Sequence, residues 1–88
     1  MAEVTVEFYG LPRQRAGRPQ LTVDADTAAA ALVRVAAACP DLGDLVTSDG
    51  RLAPQYLLSV DGEWFVADLA EPLPTGTRLL LLSADAGG

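Results

Sequence analysis

Arg78-Leu79-Leu80-Leu81-Leu82-Ser83 carries four leucines in a row. A strand with one wet face alternates apolar and polar side chains, so a run that is apolar at every position needs cover on both sides. It is either a central strand buried on both faces, or one whose second face meets a partner. Such a strand needs neighbours, and the chain supplies them. Val4, Val6 and Phe8 alternate with Thr5, Glu7 and Tyr9, which is the period of a half-buried strand. Gly10-Leu11-Pro12 ends it, and residues 13–19 read as a polar loop. Leu21-Thr22-Val23 follows as a second strand, making an antiparallel hairpin with the first.

Between the hairpin and the later strands lies one helix. Asp26 or Thr27 can cap it, and residues 28–39 are rich in alanine, the best helix former. Ala28, Leu32, Val35 and Cys39 fall on one stripe, which Ala31 and Ala36 widen. Arg34 is its single charge, so the helix is expected to lie close on the sheet. Pro40 stops it. A loop over residues 41–54 follows, with Leu42, Leu45 and Val46 as its expected anchors. A third strand spans about residues 55–60, Asp61-Gly62 marks a type I′ hairpin turn, and residues 63–66 return as a fourth strand. The expected fold is α+β, in the order ββαβββ, with a mixed sheet across one main helix and the first and last strands as parallel neighbours. Residues 1–83 form the expected domain, and residues 84–88 a flexible tail.

Composition narrows the chemistry. The chain has 88 residues, twelve acidic and six basic side chains, and a net charge of −6. All the cations are arginines and there is no histidine. This excludes an imidazole base, a Schiff-base lysine and a phosphate-loop lysine on the chain itself. The single cysteine excludes an intrachain disulfide and a cysteine-built metal site. Six scattered arginines among twelve acids oppose nucleic-acid binding, and the acidity opposes anionic membranes. No apolar run approaches the roughly 20 residues that span a bilayer, and no secretory signal is visible, so a cytoplasmic location is expected. Cys39 sits on the inward stripe, which favours a buried structural thiol over a persulfide relay. Asp24 and Asp26 are better read as capping and turn residues than as a metal site, and no metal is expected.

What remains is the end of the chain, Ser83-Ala84-Asp85-Ala86-Gly87-Gly88. A terminal segment is often no more than a polar tail. Alternatively, small residues make a narrow, permissive arm that can carry a carboxylate into a tight channel. That carboxylate becomes reactive once an ATP-using partner gives it a good leaving group, as in an acyl adenylate. None of this requires histidine, lysine or cysteine from the chain.

The order ββαβββ with a diglycine end resembles the β-grasp sulfur carriers, the MoaD/ThiS-like, ubiquitin-like proteins. The resemblance runs along nearly the whole chain. It includes Val6-Glu7-Phe8-Tyr9 with the loop after it, Cys39-Pro40-Asp41-Leu42, Val60-Asp61-Gly62-Glu63, the turn from Pro72-Leu73 to Gly76-Thr77, and Ala86-Gly87-Gly88. The loop between the first two strands is more like that of the molybdopterin and cysteine-pathway carriers than the shorter thiamine type. Two departures stand out: Ser83-Ala84-Asp85 replaces a segment often rich in proline, and Asp61 stands where asparagine is common.

The resemblance implies that Gly88 is the adenylation and thiocarboxylate site and that Ala86 and Gly87 thread a partner's channel. It implies that the chain is a carrier or co-substrate and not an enzyme, with no bound cofactor of its own. ATP and magnesium would serve the activating partner. Implied partners are an E1-like adenylyltransferase, a sulfurtransferase or persulfide donor, and an acceptor synthase. Aligned with the family, Tyr9, Trp64, Leu80 and Leu82 form an outward docking patch. Two other readings share the fold: a ubiquitin-like protein modifier, and a non-catalytic interaction module.

Overall fold

The computed structural model describes residues 2–66 and 68–84. Its elements are β1 (Glu3–Phe8), α1 (Leu11–Ala16), β2 (Gln20–Asp24), α2 (Ala28–Ala38), a 3-10 turn (Pro40–Leu42), β3 (Tyr56–Val60), β4 (Trp64–Phe65) and β5 (Arg78–Ser83). The five strands form one sheet in the order β2-β1-β5-β3-β4. β5, the leucine strand, lies in the middle. It runs parallel to β1 and antiparallel to β3, while β1 and β2 pair antiparallel.

One face of this sheet carries the core. Val4, Val6 and Phe8 of β1, Leu79 and Leu81 of β5, and Tyr56, Leu58 and Val60 of β3 are buried there with Ala28, Ala31, Leu32 and Val35 of α2. The alternation in β1 and the stripe in α2 are the cause, because each supplies one continuous apolar face. Burying a leucine side chain is worth about 1.5–3 kcal/mol, so each leucine of the β5 pair contributes on that scale. Thr27 caps α2, its side-chain oxygen accepting from the Ala30 amide at 3.1 Å. Asp26 is used elsewhere, accepting from the Ala2 amide at 2.9 Å. Cys39 is buried. Leu42 and Leu45 are buried as well, whereas Val46 lies on the surface.

Two local expectations are corrected, and Pro40 does more than stop α2. The stretch after β1 is not a plain polar loop, since Leu11–Ala16 is a short helix. Pro12 sits in its first turn, where the missing amide costs nothing, and is buried. Gly17 ends it at φ 71°, donating its amide to the Arg13 carbonyl. Pro40 ends α2 but also starts the 3-10 turn, for the same reason. The returning strand is shorter than residues 63–66, covering Trp64–Phe65 only. The turn before it forms as expected, with Asp61 at φ 54° and Gly62 at φ 74°. Among the described residues no helix is long and apolar enough to cross a membrane.

Candidate functional site

Strand register decides what the second face of the sheet presents. Glu7 pairs with Leu80 and Thr5 with Arg78 across β1 and β5. Leu57 pairs with Leu82 and Ser59 with Leu80 across β3 and β5. Ser59 in turn pairs with Phe65 on β4. Paired residues share a face, so Leu57, Leu80, Leu82 and Phe65 form an apolar stripe opposite the helix. Leu80 and Leu82 are half-buried, and Phe65 is 63% exposed.

Tyr9 continues the same parity. Its amide donates to the Leu81 carbonyl at 3.0 Å, which extends the β1–β5 pairing and places it beside Leu82. Its hydroxyl donates to Glu7 Oε1 at 2.6 Å, and Glu7 Oε2 lies 2.8 Å from Arg78 Nε. The bond to Glu7, then burial, raises the Tyr9 phenol above its ordinary pKa. The outer face therefore has an apolar half toward β3 and β4, and a polar half of Thr5, Thr22, Glu7 and Arg78 toward β2.

Of the four residues expected to dock a partner, Tyr9, Leu80 and Leu82 share this face. Trp64 is 50% exposed but pairs with Val60, whose side chain is buried in the core, so it sits on the opposite parity at the sheet edge. Phe65 and Leu57 occupy the face with the leucines, and sequence reading did not single them out. The signal was present in the period of two, but reading it required the register across the Asp61-Gly62 turn.

The end of the sheet where β5 exits is held by a polar cluster. Tyr56, at the start of β3, pairs with Ser83 at the end of β5. Its hydroxyl donates to Asp44 Oδ1 at 2.7 Å and accepts from Arg15 Nη1 at 2.6 Å. Asp44 Oδ2 accepts from Arg15 at 3.1 Å and from Gln55 Nε2 at 3.0 Å. The Ala84 amide donates to the Gln55 carbonyl at 2.9 Å. The bond from Tyr56 holds Asp44 below the usual carboxylate range, with Gln55 and Arg15 assisting. Burial, and then the bond to Asp44, pushes the Tyr56 phenol up.

Ala86, Gly87 and Gly88, the expected reactive segment, lie outside the described residues. Among the described residues no group of three or more His, Cys, Asp or Glu side chains is arranged to hold a metal ion.

The sequence matches no family model and no curated protein. Solved structures do match. Small archaeal modifier protein 1 from Haloferax volcanii superposes with a TM-score of 0.82 at 26% identity, over 99% of this chain and 100% of that one. A chain of the Amycolatopsis orientalis BexX/CysO complex gives 0.79 at 20% identity, over 97% of this chain and 99% of that one. A molybdopterin converting factor subunit 1 protein from Pyrococcus furiosus gives 0.75 at 14% identity, over 94% and 98%. The chain is a β-grasp protein of ubiquitin-like architecture, sharing its fold with small archaeal modifier protein 1 and with MoaD-like proteins.

Proposed function

We propose that the chain is a sulfur carrier whose reactive group is the carboxylate of Gly88. An E1-like enzyme, using ATP and magnesium, joins that carboxylate to AMP and releases pyrophosphate. A sulfur nucleophile then attacks the acyl carbon. With hydrosulfide, the carbon–sulfur bond forms as the bond to AMP breaks, and a thiocarboxylate remains. With a persulfide donor, the first product is an acyl disulfide, which a thiol reduces to the same thiocarboxylate. That soft anionic sulfur is then delivered to an acceptor enzyme. The chain acts throughout as co-substrate, binding no cofactor.

The observation that carries this reading is the full-length match in fold to small archaeal modifier protein 1, at 26% identity in the Haloferax case, and to a molybdopterin converting factor subunit and a chain of the BexX/CysO complex. Added to it is the position of Gly87-Gly88 in the sequence, a few residues after Ala84. The outer stripe of Leu57, Leu80, Leu82 and Phe65 supports a docking role, since an apolar face with an aromatic on a small domain is a usual partner surface.

A second reading is favoured by one observation: the Haloferax protein is described as a modifier. Gly88 would then be attached to lysines of other proteins. Mass spectrometry of the protein purified from its own host separates the two. A terminus in which sulfur replaces oxygen supports the carrier. Adducts through Gly88 on other proteins support the modifier. A terminus that stays unmodified in the presence of an active E1-like enzyme contradicts both.

A further inference from the structure

The tail leaves the sheet from a point that is built, and one carboxylate holds it together. Asp44 joins three parts of the chain: Arg15 from α1, Tyr56 at the base of β3, and Gln55 just before it. Tyr56 anchors this hub in the core, and its strand pairs with Ser83. Gln55 then uses its backbone carbonyl to accept from Ala84. Ala84 is therefore bound to a residue whose side chain is itself held by Asp44. Four residues separate Ala84 from the end of Gly88, and fully extended they span at most about 13–14 Å. On the carrier reading, the position of Ala84 therefore bounds where the acyl carbon of Gly88 can go.

We propose that Asp44, acting through Gln55 and Tyr56, is a positioning residue that presents the tail to the activating enzyme. The inference rests on the carrier reading and deepens it. A fixed departure point spares part of the ordering cost that a loose tail meets on binding, so its loss falls on recognition and not on the chemical step.

The test uses the full chain, the E1-like enzyme, ATP and magnesium, with adenylation followed by pyrophosphate exchange as carrier concentration is varied. Asp44→Ala is expected to raise KM for the carrier about three- to tenfold while kcat stays as in the wild type. Amide hydrogen exchange at Ala84 is expected to quicken in the same variant. Gln55→Ala changes an exposed side chain and loses one bond to the hub, so it should move both readouts in the same direction by less. If Asp44→Ala does not fold, Gln55→Ala decides. Wild-type KM and wild-type Ala84 exchange in a folded variant overturn the positioning role and leave the carrier reading intact. A fall in kcat with KM unchanged also overturns it. A wild-type chain that the enzyme never adenylates overturns the carrier reading, and this inference with it.

Discussion

The ring of Tyr56 is 2% exposed, yet its hydroxyl meets the carboxylate of Asp44 at 2.7 Å. The tyrosine thus fills the core with its body and ties the surface with its tip. Tyr56→Phe keeps the body and removes the tip, leaving Asp44 without one donor and Arg15 without one acceptor. The expected loss is about 1–2 kcal/mol of unfolding free energy, read from the denaturant midpoint at unchanged slope.

The same pair makes stability depend on acid. Asp44 is held below its ordinary pKa in the native state, so its contribution is fully present above the ordinary aspartate value of about 3.9. It is lost as pH falls through the lower native value. Asp44→Asn should therefore be less stable than wild type at neutral pH, and the gap should close in acid. Urea unfolding of both proteins at neutral pH and at about pH 3 checks this, and a gap that stays constant counts against the assignment.

Alternate leucines of β5 should respond differently. Leu81 is buried against the helix face, so Leu81→Ala is expected to cost about 2–5 kcal/mol. Leu82 is half-buried on the outer face, and Leu82→Ala should cost about 1 kcal/mol. The second variant, not the first, should stay well folded while losing affinity for the E1-like enzyme. Thermal unfolding and titration calorimetry with that enzyme distinguish the two.

Gly62 separates space from conformation. A Cβ there would meet Leu80 Cδ2 at 3.9 Å, an ordinary contact, but the residue lies at φ 74°. Gly62→Ala is therefore expected to cost about 1–2 kcal/mol through backbone strain alone. Asp61→Asn, at φ 54°, should be nearly neutral, because asparagine tolerates the left-handed region as well. Paired denaturation curves test both.

The central placement of β5 and its parallel pairing with β1 were legible because strand periodicity survives in Val4, Val6, Phe8 and the leucine run. The inward stripe of α2 and the Asp61-Gly62 turn were legible for similar local reasons. Helix α1 was not, because a proline at position 12 reads equally as the stop of a strand and as a first-turn helix residue. The outer position of Phe65 was not, because face assignment on β4 depends on register across the turn. The Asp44 hub left no trace at all. Its members are 29 and 12 residues apart for the bonds to Arg15 and Tyr56, and polar side chains that meet only in space have no period.

Trapping of the acyl adenylate tests the carrier reading most directly. The full chain and a form lacking Gly88 are incubated with the E1-like enzyme and labelled ATP, and the label on the chain is located by mass spectrometry. AMP is expected on Gly88 of the full chain and not on the shortened form, with nearly equal melting temperatures for the two. Equal labelling of both forms, or AMP carried on any other residue, would contradict the carrier reading.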